Sequence, residues 1–172
     1  MRAYGLKRGR MGRHLSEQRG SGAAAMAAWH AGDAMQSGFS LRLENRLVEL
    51  DRLAAAVEAF GEAERLSPKL TYQIGLVLDE LLTNTIAYGY PEEGGQDITV
   101  VMKREGGLLR FEIADTAAPF DPLSARPPDL CSPAGERRIG GLGIHLVRSL
   151  MDRVAYERVG NGNSLILEKD LG

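Results

Sequence analysis

DITVVMKREGGLLRFEIAD, residues 97–115, holds two alternating runs on either side of a Gly-Gly pair. In the first run Ile98, Val100 and Met102 share a face; in the second, Leu109, Phe111 and Ile113 do. Successive strand residues point to opposite sides, so each run is a strand with one apolar face. Gly106-Gly107 is a turn between them, and the pair reads as an antiparallel unit over about 97–104 and 108–115. Period two places Asp115 on the apolar-side face, one step beyond the last apolar residue.

Upstream, Ser40-Leu41-Arg42-Leu43 alternates as a short strand. Asn45 is a candidate cap for a helix running to about Leu66, with Leu47, Leu50, Leu53, Ala54, Val57 and Phe60 at helical spacing. Ser67-Pro68 restarts the chain, Ser as N-cap and Pro at the first helical position. The second helix runs to about Tyr88, where Gly89 and Pro91 stop it. Downstream of Asp115, residues 116–139 are irregular, with prolines at 119, 122, 127, 128 and 133. A loop this long inside a compact domain is functional or mobile. A third helix starts in Gly140-Gly141-Leu142-Gly143 and runs to about Asp152, with Leu142, Leu146 and Leu150 as its stripe. A hairpin closes the chain, Val154–Val159 and Ser164–Glu168 around Gly160-Asn161-Gly162. Strands in hairpins and helices in groups predict an α+β two-layer sandwich, its mostly antiparallel sheet covered on one face by helices.

Composition sets the outer limits. The chain has 172 residues, 44% hydrophobic and 26% charged, enough for one domain with a core. A formal charge of −2 gives no overall basic excess for nucleic acid or an anionic lipid surface. The sole cysteine, Cys131, excludes an intrachain disulfide and a Cys-rich zinc site, and suits a reducing cytoplasm. No apolar run approaches the roughly 18 residues of a membrane helix. Charge is uneven: residues 1–38 carry Arg2, Lys7, Arg8, Arg10, Arg13 and Arg19 against Glu17 and Asp33, amid Gly, Ala and Ser. That segment is expected to be a disordered basic tail. A secretory signal on the short, Ala-dominated stretch Ala23–Trp29, a transit peptide, a basic arm for a partner, or a true start at Met26 or Met35 are the other readings. Residues 39–172 are the expected folded domain.

Three places offer chemistry. Glu80 and Asn84, four apart in Asp79-Glu80-Leu81-Leu82-Thr83-Asn84-Thr85, share a helix face at the edge of the apolar row Leu70, Ile74, Val77, Leu81. A carboxylate and a carboxamide there suit Mg²⁺, which takes oxygen ligands and keeps its waters; they also suit a plain surface hydrogen bond. Asp115, at a strand end, can accept from an exocyclic amine such as adenine's or simply form the following turn. Gly140, Gly141 and Gly143 open a helix whose free N–H groups favour an anion, with Arg137 and Arg138 just upstream within reach of phosphates. The run matches neither the Walker pattern nor a dinucleotide fingerprint, since no Gly-Lys-Ser/Thr and no parallel βαβ unit accompany it.

The order of these pieces is what carries a family likeness. An acid–amide helix is followed by a strand-end Asp with Pro119-Phe120-Asp121-Pro122, then by Gly140-Gly141-Leu142-Gly143-Ile144-His145-Leu146-Val147. In this the chain resembles the ATP-binding domain of histidine kinases, type II topoisomerases and certain chaperones, the GHKL superfamily. Within it the likeness is to the bacterial anti-sigma factor serine kinases, over about residues 39–171.

The resemblance implies roles, position by position. Glu80 would be the general base toward the attacking hydroxyl. Asn84 would hold Mg²⁺ between the phosphates of ATP, and Asp115 would recognise the adenine amine. Gly141 and Gly143, in the run Gly140–Gly143 that includes Leu142, would frame the phosphates with Arg138 nearby and the 122–139 loop as lid. Asn163 or Ser164 would support the adenine site. Where the family has Gly two residues after the Asp, this chain has Ala117, whose methyl either crowds the adenine approach or is absorbed by a backbone shift. The implied activity is transfer of the γ-phosphate of Mg-ATP to a serine of an anti-sigma-factor antagonist, with sequestration of a sigma factor by partner switching. A homodimer is implied as well, with the first strand and helix as interface. Two other functions stay open: a partner-binding module without catalysis, and a detached histidine kinase catalytic domain. Against the last, neither His14 nor His30 sits in a helical hairpin. His145, on the third helix, reads as structural, and Arg148, Arg153 and Arg158 as a solvated face.

Overall fold

The computed structural model describes residues 38–124 and 142–172. The tail, Cys131, Arg137, Arg138, Gly140, Gly141 and most of the expected lid lie outside the described residues, as does the side chain of Leu142. The described elements are β1 (Gly38–Glu44), α1 (Leu50–Ala63), α2 (Pro68–Gly89), β2 (Asp97–Glu105), β3 (Leu108–Asp115), α3 (Leu142–Leu150), β4 (Arg153–Val159) and β5 (Gly162–Asp170). Short 3₁₀ turns stand at Leu47–Glu49 and Pro122–Ser124.

The five strands form a single sheet in the order β1-β2-β3-β5-β4, antiparallel at every junction. Both hairpins fall where the turn residues put them: Glu105 pairs with Leu108, and Val159 with Gly162. The positive φ of Gly106 (63°) and Gly160 (59°) is why glycine stands at each turn. One face of the sheet is the core wall. Ile98, Val100, Met102, Leu109 and Leu167 are fully buried there, with Leu43, Phe111, Ile113 and Leu165 beside them. The helices cover that face with Leu53, Val57 and Phe60 of α1, and Ile74, Val77, Leu78, Leu81, Leu82 and Ile86 of α2. Each such side chain contributes about 1.5–3 kcal/mol by leaving water.

α2 starts as read: Ser67 Oγ accepts from Leu70 N–H at 3.2 Å, with Pro68 in the first turn. Two other readings are corrected. Asn45 caps no helix. Arg46 has the extended backbone of a cap position but no side-chain cap bond, and the α-helix begins only at Leu50. Asn45 is wholly buried instead. Its Nδ2 donates to Glu92 O at 2.8 Å and its Oδ1 accepts from Gln96 N–H at 3.1 Å, which ties the 92–96 turn to the end of β1. Because the Asn45 carboxamide is itself buried, it must find partners inside the fold, and the backbone groups of the turn supply them on both its nitrogen and its oxygen. The third helix is rotated from the expected stripe. Ile144 and Val147 are its buried residues, with Met151 buried just past its end; Leu146 and Leu150 are only half-buried, and the helix ends at Leu150. α1 also ends early, at Ala63. There Arg65 takes φ 54° and Leu66 N–H bonds back to Gly61 O, a left-handed C-terminal cap.

Asp152, in the link from α3 to β4, is fastened to the end of β5. Its carboxylate accepts from Asp170 N–H at 2.8 Å and from Lys169 Nζ at 3.1 Å. Those donors hold its pKa below the usual carboxylate range, the backbone bond foremost. A depressed native pKa adds stability above the unfolded value of about 3.9, and that part is lost as pH falls through the native value. Asp152→Asn therefore lowers Tm at pH 7. The gap to the parent closes as thermal scans move below about pH 4.

Candidate functional site

Three elements converge: the second half of α2 with Asn84, the junction of β3 and β5 with Asp115 and Asn163, and the start of α3 at Ile144, while Glu80 and Gly143 stand outside the lining. Together the three elements enclose a cleft of about 250 Å³. Its floor is apolar, from Leu81, Ile113, Ile144 and Leu165; Asn84 and Thr85 line the α2 side, and Ala117–Phe120 the loop side. Asp115 and Asn163 supply polar atoms at one end.

Register builds that polar end. Asp115 and Asn163 are directly paired across β3 and β5. Asn163 Nδ2 donates to Asp115 Oδ1 at 2.6 Å, and also lies 3.2 Å from Ala117 O and 3.3 Å from Ala118 O. Ala117 N–H donates to the same Asp115 Oδ1 at 2.8 Å, the Asx turn expected of an Asp at a strand end. Both protein hydrogen bonds of the Asp115 carboxylate fall on Oδ1; Oδ2 carries none among the described residues. The turn-forming and ligand-accepting readings of Asp115 are therefore compatible, one on each oxygen. The Asp115 charge also helps push the Tyr90 phenol above its ordinary pKa, after burial as the larger cause.

Two residues missed in the sequence complete the clasp. Tyr156 Oη donates to Asn163 Oδ1 at 2.8 Å. Arg158 Nη1 reaches the same oxygen at 2.8 Å and Ala117 O at 3.0 Å, while its Nη2 donates to Asn161 O at 2.6 Å. Arg158 is exposed, as expected, yet it also ties the closing turn to the Asp115 loop. Its place opposite Asn163 in the β4–β5 register was the available signal. Ser164 points elsewhere, its Oγ donating to Glu112 Oε1 at 3.1 Å, so of the two candidates Asn163 serves the cleft.

On α2, Asn84 Nδ2 donates to Glu80 O at 2.7 Å, so the pair is joined through the backbone carbonyl and not the carboxylate. This leaves Asn84 Oδ1 as an acceptor on the cleft wall. The Glu80 carboxylate lies against Gly143, the second residue of α3; a methyl group on Gly143 would overlap Glu80 Oε2. Helix α3 thus presents its N-terminal turn to that carboxylate, a region that favours negative charge. Among the described residues no group of three or more His, Cys, Asp or Glu is placed to hold a metal. One amide oxygen on a cleft wall fits Mg²⁺ only as a partner to ligands carried by a phosphate and by water, the usual way this ion is held. His145 is exposed on α3. No helix among the described residues is long and apolar enough to cross a membrane.

Residues 43–169 match the histidine kinase-like ATPase domain. The chain is 28% identical over 111 residues to the serine/threonine-protein kinase BtrW of Bordetella bronchiseptica, covering 64% of this chain and 78% of that one. It is 27% identical over 137 residues to the anti-sigma F factor of Clostridium acetobutylicum, covering 74% and 94%. It is 32% identical over 84 residues to the serine-protein kinase RsbW of Listeria monocytogenes, covering 46% and 53%. Its fold is similar to the crystal structure of the RsbU and RsbW domains of Rv1364c from Mycobacterium tuberculosis, with a TM-score of 0.56 at 13% identity over 78% of this chain. The chain spans 32% of the length of that larger protein.

Asn163→Ala strips donors from Asp115 and Ala117 and an acceptor from Tyr156 and Arg158. It should cost about 2–4 kcal/mol in urea unfolding, whereas Ser164→Ala should cost no more than about 1 kcal/mol.

Proposed function

The chain belongs to the histidine kinase-like ATPase domain family, and on that premise we propose that it is an anti-sigma-type protein serine/threonine kinase that binds Mg-ATP in the cleft described above. Its substrate is a small antagonist protein bearing an acceptor serine, and its second partner is a sigma factor released or held according to that phosphorylation. The kinase and anti-sigma names of the relatives support this reading. The observation that carries it is the division of labour on Asp115: Oδ1 is spent on the clasp, and Oδ2 remains beside an apolar cleft of about 250 Å³.

The residues then have distinct tasks. The apolar floor takes a flat base out of water, and Asp115 Oδ2 accepts from its exocyclic amine. Bound ATP supplies the transferable phosphoryl group, and its Mg²⁺ neutralises charge on the phosphates. Asn84 offers an oxygen toward that ion. Glu80 accepts the proton of the attacking serine hydroxyl, its carboxylate occupying the space that the missing side chain of Gly143 leaves. Gly140, Gly141 and Arg138, just ahead of Leu142 in the sequence, are assigned to the phosphates by the family resemblance. Self-association through β1 and α1 belongs to the same proposal: Leu47 and Val48, at 46% and 71% exposure, present apolar surface beside them.

Transfer from radiolabelled Mg-ATP to candidate antagonist proteins tests this directly. Acid-stable phosphate on serine is expected. Acid-labile phosphate would favour a histidine acceptor, and binding without transfer a partner-capture module. Glu80→Gln should lower kcat about 10²–10⁴-fold while leaving ATP affinity within about threefold. Gly143→Ala, which pushes the Glu80 carboxylate aside, should lower kcat in the same direction. A Glu80→Gln enzyme at full rate would refute the general-base role.

A further inference from the structure

The turn after β3 carries an alanine at the position where the resemblance leads one to expect glycine, and the helix facing it ends in a glycine. Ala117 is 3% exposed. Its φ is not positive, so the turn itself makes no demand for glycine there. Its methyl is directed at Gly89, the last residue of α2: a Cβ added to Gly89 would lie 2.7 Å from Ala117 Cβ. Carbon atoms in contact sit about 3.5–4.0 Å apart, so both positions cannot carry a methyl group without movement. The remaining neighbours of that added Cβ are Thr85 Cγ2 at 3.8 Å and Ala117 Cα at 4.0 Å, both ordinary contacts. The conflict is therefore between the two methyl groups alone.

The same two segments are tied by a hydrogen bond, Ala118 N–H to Gly89 O at 2.8 Å. That bond sets how closely the loop rides on the helix end. The loop is the one whose Ala117 N–H and Ala117 O bind Asp115 and Asn163. Any outward shift of Ala117 is passed straight to the Asp115 carboxylate.

We infer that Gly89 is a positioning residue for the nucleotide site: its missing side chain accommodates the Ala117 methyl and so keeps the Asp115 loop at the height the base requires. The inference rests on the nucleotide reading of the cleft for its functional half. The steric half stands without it. One methyl group fits between helix and loop, on either side, and the chain has placed it on the loop.

A double-variant cycle on the full chain tests this. Gly89→Ala should lower Tm without nucleotide and weaken Mg-ATP binding at least about tenfold. Affinity is measured by calorimetry well below the Tm measured for each variant, so that loss of stability alone does not move it. Adding Ala117→Gly to Gly89→Ala moves the methyl across the gap. It should return Tm to near the parent and affinity to within about threefold. A Gly89→Ala variant with parental Tm and affinity would overturn the inference. So would a double variant as impaired as the single, which would mean that Gly89 matters only as a helix end. Should the parent fail to bind Mg-ATP, the nucleotide reading falls, and the Tm cycle still decides whether the two positions share one methyl.

Discussion

The hydrogen bond from Asn163 Nδ2 to Asp115 Oδ1 is the interaction on which the site depends. It joins the end of β3 to the start of β5, where the sheet stops and the irregular loop begins. Backbone groups at such a point lose their ladder partners, and Asn163 replaces them by binding Ala117 O and Ala118 O as well. Its own oxygen is held by Tyr156 and Arg158. The carboxamide thus has partners at both ends and Asp115 is fixed by one oxygen, which leaves the other for a ligand. A site arranged this way loses little entropy on binding, because its polar atoms are already ordered.

The other half of the site depends on one helix. α2 packs Leu81 and Ile86 into the core while Asn84 and Thr85 face the cleft, and its last residue meets the loop. Glu80 lies on the same helix but reaches toward α3, where only a glycine leaves it room. The candidate base and the candidate metal-binding oxygen are therefore fixed by a single rigid element seated on the sheet. Catalysis of phosphoryl transfer is largely a matter of such positioning and of charge neutralisation. The buried row of α2 and the floor of the cleft share Leu81, so core packing and site geometry are coupled at that residue.

Much of this was legible in the sequence, for definite reasons. The strands announced themselves by period two and by glycine turns, and the positive φ of Gly106 and Gly160 explains the reliability of that signal. Ser67-Pro68 marked a helix start because Ser and Pro act locally. Asp115, Glu80 and Asn84 stood out by position relative to apolar rows, and all three lie where the convergence of β3, α2 and α3 puts them. What the sequence hid was tertiary. Asn45 has the chemistry of a helix cap, yet the 92–96 turn takes its buried carboxamide. Arg158 looks like any surface cation until the β4–β5 register places it opposite Asn163. The stripe of α3 was misjudged because leucines at 142, 146 and 150 suggest a face as good as the one formed by Ile144, Val147 and Met151. Ala117 read as a departure because its partner, Gly89, is 28 positions away along the chain and adjacent only in the fold.

The most direct measurement is calorimetric titration of Mg-ATP into the full chain beside an Asp115→Asn variant. Asparagine keeps an oxygen for the clasp but replaces the free one with an N–H donor, which would face the donor amine of adenine. The account predicts binding in about the micromolar range for the parent, weakened at least about tenfold in the variant, or by about 1.4 kcal/mol or more. Equal binding by both proteins, or no binding by the parent at about millimolar ATP, would contradict it.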